Sequence, residues 1–299
     1  MKLATYRDGS RDGQLIVVSR DLSQAQFVNA IASRLQQVLD DWNFLAPQLE
    51  AVSQSLNQGK ARHAFAFDPA QCMAPLPRAH EVLYAAGSEL TRLGGHSLWG
   101  AQQSISLGAR VLDVGAPGLG FDACVAVVCG DVAAQASAAN ALDGVRLLGL
   151  CSVWQLPQLA SPHRLPGCSV APVLATPDEL GEAWRGGRLQ LPMQLMLNGR
   201  KPGNGADESR PEGERKPTHF GEWLQEAARL QPLRAGTVLL CGAQDAPAAH
   251  RLHGGDSLRL DIKVQDGSSA FGAIDVELLV SSQANAGPLP KFACPLGGA

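Results

Sequence analysis

The sequence predicts an α+β protein dominated by strand, with a small N-terminal α/β unit over residues 1–75 and a larger β-rich domain over 76–299. Three observations carry this. Sustained helical periodicity is concentrated in the first sixty residues, where Phe27, Ile31, Leu35, Val38, Leu39 and Trp42 recur at helical spacing. Beyond residue 80, short apolar runs bounded by Gly, Pro and Asp read as strands. Between the two lies Ala74-Pro75-Leu76-Pro77-Arg78-Ala79, whose prolines oppose helix.

In order, residues 1–7 and 14–19 read as two strands joined by the turn from Asp8-Gly9 to Asp12-Gly13. Ser23 and Gln26 form a capping-box pattern ahead of the first helix. A second helix covers roughly 46–57 and stops before Gly59, and Phe65 to Pro69 is extended. Strands are expected at 109–114, 121–129, 145–154 and 168–174. Thr176, Pro177 and Glu179 supply an N-cap, a proline at the first helical position and an acid at the third, and Gly186-Gly187 is the expected stop. Residues 188–197 alternate as strand. Residues 199–217, rich in Gly, Pro and charge, read as a flexible loop. A short helix near 220–230 precedes strands at 236–241, 257–265 and 270–280, and the tail 281–299 reads as irregular.

Composition narrows the function classes. At 45% hydrophobic and 18% charged residues, the chain has the make-up of a soluble globular protein. A net charge of −3 gives no electrostatic attraction to nucleic acid or to an anionic membrane. No apolar run is long enough to span a bilayer, and no signal peptide is visible. The seven cysteines follow no repeated spacing, so reduced thiols in the cytoplasm are expected. His250 and His253 have the spacing of a metal pair but no companion pair, and read as surface histidines.

Four stretches resemble the fumarylacetoacetate hydrolase family. MKLATYRDGSRDGQLIVVSRDLS resembles the opening of its bacterial members, and FDPAQCMAPLPRA, residues 67–79, is similar to the join between their two domains. TPDELGEAWRGGRLQLP and GDSLRLDIKVQDGSSAFGAIDVEL are similar to later segments. The resemblance implies a β-roll behind a small N-terminal domain. It implies a homodimer, or a heterodimer with an active relative. It also implies hydrolysis or rearrangement of small β-diketo or 2-oxo acids of the acylpyruvate type in aromatic catabolism, with Mg²⁺, Mn²⁺ or Ca²⁺. Such a cation needs oxygen ligands and stabilises a developing enolate, while a histidine–acid pair activates water.

Residue by residue, the family's machinery is replaced. Its Glu-x-Glu strand corresponds to Asp122-Ala123-Cys124: the first acid survives shortened, and the second is a soft thiol. The later aspartate corresponds to Val153, with Ser152 or Trp154 if the register slips by one. The lysine corresponds to Leu165, the Gly-Thr turn to Gly242-Ala243, and the catalytic histidine to Gly87, with His96 nearby. No catalytic residue and no resident cofactor are expected. Asp122 reads as the remnant of a metal clamp, and Cys124, Arg92, Val153 and Leu165 as lining of its pocket, with Trp154 filling it. Arg92 holds a ligand carboxylate or is an ordinary surface arginine.

Three functions follow. One is a noncatalytic member that binds a small oxo acid or pairs with an active relative. A second is altered chemistry using Cys124 as nucleophile; the alternative is that Cys124 is a buried apolar residue. The third is surviving family activity through other acids, Asp113, Asp131 or Asp143.

Overall fold

The computed structural model describes residues 1–93, 97–107, 118–156, 167–201, 219–242 and 251–280. The expected strand at 109–114, most of the loop 199–217 and the tail 281–299 lie outside these residues. So do His96, Asp113, Leu165, Ala243 and His250.

β1 (Lys2–Tyr6) and β2 (Gln14–Val18) pair antiparallel across the expected turn. The next element departs from the helical expectation. Residues Gln24–Phe27 form strand β3, which pairs with β2 and with β4 (Phe65–Ala66). Phe27 stacks on Phe65, their ring centroids 4.9 Å apart, and meets Tyr6 edge-on. The Ser23 hydroxyl donates to Asp21 instead of capping a helix. Cross-strand aromatic packing thus overrides the local pattern. The helices begin later, as α1 (Leu35–Asp40) and α2 (Trp42–Asn57). The amide oxygen of Gln37 accepts from the backbone N–H groups of Ser33 and Arg34 at 2.9 and 3.1 Å, satisfying two donors at the start of α1.

The second part supplies β5 (Glu81–Ala86), β6 (Glu89–Leu93), β7 (Leu98–Trp99), β8 (Gln102–Leu107) and β9 (Gly120–Cys129). Next come α3 (Ala138–Leu142), β10 (Val145–Gln155), β11 (Gly167–Val170) and β12 (Val173–Ala175). α4 (Pro177–Leu180) starts at the expected proline but lasts one turn. Its Thr176 hydroxyl accepts from the Met1 ammonium at 2.6 Å. Gly186 and Gly187, the expected helix stop, instead form the two-residue turn of a hairpin between β13 (Trp184–Arg185) and β14 (Arg188–Leu189). Both have positive φ, +56° and +73°, as this tight turn demands. β15 (Met193–Leu197), α5 (Phe220–Ala227), β16 (Thr237–Gly242), β17 (Ser257–Ile262) and β18 (Ile274–Val280) complete the chain.

One 12-stranded sheet runs through both parts in the order β4-β3-β2-β1-β12-β10-β9-β16-β5-β6, with β11 and β7 attached beside β10. The antiparallel pairing of β1 with β12 is the seam that makes it continuous. A second sheet, β15-β17-β18-β8, contributes Leu258, Leu260, Ile262, Ile274, Val276 and Leu278 to the core on one face. On the other face, Leu35, Val38, Leu39, Leu49 and Leu56 of α1 and α2 share a core with Cys124, Cys151, Val153 and Leu240. Strand alternation therefore divides β9 cleanly: its even-numbered residues look to this helix-side face and its odd-numbered ones to the second sheet. Among the described residues, no helix is long and apolar enough to cross a membrane.

Candidate functional site

The Asp122–Cys124 strand is central in the large sheet, with β10 on one side and β16 on the other. Its register with β10 puts Val153 directly opposite Asp122 and Cys151 opposite Cys124. On the other side, Gly242 is opposite Cys124. β5 follows beyond β16. All these positions share the helix-side face.

Two side chains absent from the sequence reading converge on Asp122. The Tyr84 hydroxyl, from β5, donates to Asp122 Oδ2. The Gln155 amide, from β10, donates to the same oxygen at 2.8 Å. Gly242 of the intervening strand leaves the approach open: a Cβ there would lie 4.0 Å from that oxygen. Tyr84 is buried, and burial, followed by Cys124 and Asp122 beside it, pushes its phenol well above the ordinary value. At physiological pH it is a neutral donor.

Cys124 is fully buried, and its thiol donates to the backbone carbonyl of Asp122 at 3.6 Å. Burial first, then the Asp122 charge, raises the thiol far above its usual range. A nucleophilic thiol needs the reverse. The bland alternative for Cys124 therefore fits this environment. Gly120, at the start of β9, makes room for another group: a Cβ there would collide with the Arg251 guanidinium and approach the Gln155 Cβ at 3.4 Å. Arg251 thus reaches over the end of the strand beside Gln155.

The remaining sequence candidates are scattered. Arg92 on the edge strand β6 pairs with Glu81 at 2.6 Å and is 62% exposed. Its cross-strand partner is Leu83, so it stands on the face opposite Tyr84 and Asp122. The structure does not bring it to the pocket. Trp154 does not fill the pocket either. It alternates to the other face, packs near Phe121 and donates its indole N–H to Ser169 Oγ at 3.0 Å. Gly87 occupies the β5–β6 turn at φ +60°. Asp131 lies past the far end of β9, where its carboxylate accepts from the Ala235 N–H at 3.1 Å. Asp143 caps α3 at that same end.

A hard divalent cation wants several oxygen ligands. Around Asp122 the described side chains offer an apolar Val153, a buried thiol with its pKa raised, and a carboxylate oxygen already accepting two hydrogen bonds. Among the described residues, no three His, Cys, Asp or Glu side chains are grouped to hold a metal ion. This donor set does not fit the cation that the family resemblance implies.

Residues 1–78 match the family described as Fumarylacetoacetase N-terminal domain 2. The fold is similar to that of maleylpyruvate hydrolase from Sphingobium sp. SYK-6, at 15% identity and TM-score 0.67, covering 93% of this chain and 99% of that one. A structure of the Sphingobium hydrolase in complex with manganese(II) ion and pyruvate matches equally, at 16% identity and TM-score 0.67, covering 94% and 100%. Fumarylacetoacetate hydrolase from Exiguobacterium antarcticum is similar at 16% identity and TM-score 0.64, covering 94% and 99%. No curated protein sequence matches the chain significantly. The N-terminal 78 residues thus match the fumarylacetoacetase N-terminal domain, and the chain as a whole shares the fold of these maleylpyruvate and fumarylacetoacetate hydrolases.

Proposed function

We propose that this chain is a noncatalytic member of the family. On this reading it is a cytoplasmic protein that keeps the fold, binds a small oxo acid, and assembles as a homodimer or with an active relative. The observation that carries the reading is the register of β9 with β10, in which Val153 stands directly across from Asp122 and Cys124 follows on the same face. Where hard-metal chemistry needs oxygens, this strand pair offers one carboxylate.

The second reading is a metal-dependent hydrolase, decarboxylase or isomerase acting on a β-diketo or 2-oxo acid of the acylpyruvate type. It is favoured by the likeness in fold to the Sphingobium hydrolase in complex with manganese(II) and pyruvate. An assay with acylpyruvates and fumarylpyruvate under saturating Mn²⁺ or Mg²⁺ separates the two. The first reading expects no turnover above the metal-only control. Metal-dependent turnover that disappears in Asp122→Ala would establish the second.

A further inference from the structure

The misfit between the Asp122 surroundings and a divalent cation has a structural counterpart. A half-buried carboxylate in mid-sheet must be compensated by a cation or by hydrogen-bond donors. Here two donors reach one oxygen from different strands: the Tyr84 hydroxyl from β5 and the Gln155 amide from β10. Tyr84 must span β16 to do so, and the strand between them carries glycine at 242 beside the carboxylate. Gln155 sits two residues beyond Val153, on the face that carries Asp122.

We infer that Tyr84 and Gln155 take the place of a metal ion as the counter-groups of Asp122, so that the cluster is a metal-independent clamp tying β5, β9 and β10 together. This rests on the noncatalytic reading in one respect: no cation competes for Asp122. The clamp also gives the retained acid a purpose. With Val153 and Cys124 as neighbours, Asp122 alone would be an uncompensated charge; with its two donors it is a cross-link.

A double-mutant cycle tests the clamp. Tyr84→Phe removes the donor and Asp122→Leu, close to it in shape, removes the acceptor. Each is expected to lower Tm by about 3–8 °C, and the double variant to lose little more than the worse single one. Gly242→Val, which places a branched side chain in Tyr84's approach, is expected to mimic Tyr84→Phe. Additive losses in the cycle, or a Tyr84→Phe protein as stable as the parent, would overturn the clamp. A second readout does not depend on stability. In Tyr6→Phe, Tyr84 is the one remaining tyrosine of the two in the sequence. Its hydroxyl proton should give a downfield, slowly exchanging NMR resonance that Asp122→Leu abolishes; a rapidly exchanging hydroxyl would contradict the clamp. Melting the parent with and without Mn²⁺ separates this proposal from the reading beneath it. A coupled cycle with no Mn²⁺ effect supports both. An additive cycle with no Mn²⁺ effect removes the clamp and leaves the noncatalytic reading standing. A Mn²⁺-dependent rise in Tm that requires Asp122 overturns both.

Discussion

At Cys124 the protein interior controls the chemistry. The six described cysteines are all buried, and burial pushes Cys72 and Cys129 up to about 12 and Cys124, Cys151 and Cys241 upward too. Thiol chemistry requires the thiolate, which burial disfavours at these five positions. With iodoacetamide at pH 7.5, Cys124 is expected to be alkylated only as fast as the protein unfolds, as mass spectrometry of labelled peptides would show. Rapid, selective labelling of Cys124 would revive the nucleophile reading. Part of this neighbourhood was legible in the sequence. Residues two apart on a strand share a face, so Asp122 and Cys124 had to be neighbours. Tyr84 was not legible, because its approach depends on β16, a strand some 150 residues further along, lying between β5 and β9. Trp154 was misassigned because the register that puts Val153 on Asp122's face necessarily turns the next residue away.

At the scale of elements, local signals were reliable where tertiary packing agreed with them. The strands at Gly120–Cys129 and Val145–Gln155 match their apolar runs because both are interior to a sheet covered on two faces. The Ser23–Gln26 capping pattern failed because Phe27 gains more from Phe65 and Tyr6 than from a helix. The cap that operates is Gln37, so Gln37→Ala is expected to cost about 1 kcal/mol in urea unfolding. Ser23→Ala should leave the helical circular dichroism unchanged. Trp154 fills the core on the other face of the same strand, with its indole N–H satisfied by Ser169. Trp154→Ala is expected to cost about 3–5 kcal/mol, while the Asp122 cluster, on the far face, keeps its bonds. The Gly186-Gly187 pair shows why glycine alone is ambiguous: it ends helices and also turns hairpins, and only the pairing of Trp184 with Leu189 decides.

For the molecule as a whole, stability should be bounded by pH on both sides. Burial alone would raise the Glu179 carboxyl, but the Arg20 guanidinium and the Met1 ammonium more than offset it and hold it below the ordinary 4.5. Asp12 is lowered by Arg78, and Asp21 by the Ser19 and Ser23 hydroxyls. A carboxyl depressed in the folded state contributes stability above its unfolded pKa and loses it as pH falls through the folded value. Thermal melts should therefore drop steeply below about pH 4. The buried thiols act oppositely. Their folded pKa values are raised, so their contribution is complete below the ordinary 9.0 and is lost as pH climbs above it. Melting temperature against pH should form a plateau that falls at both ends; a protein still gaining stability above pH 10 would contradict this account of the core.

The continuous sheet binds these scales together. The β1–β12 seam joins the N-terminal unit to the sheet that carries Asp122, and the same sheet presents Tyr84 and Gln155 to it. The most direct test of a retired metal centre is calorimetric titration of Mg²⁺ and Mn²⁺ into chelator-treated protein, with and without oxalate as an enolate mimic. The account predicts no binding heat in either condition. Tight, near-stoichiometric binding that oxalate strengthens would contradict it and make acylpyruvates the substrates to pursue.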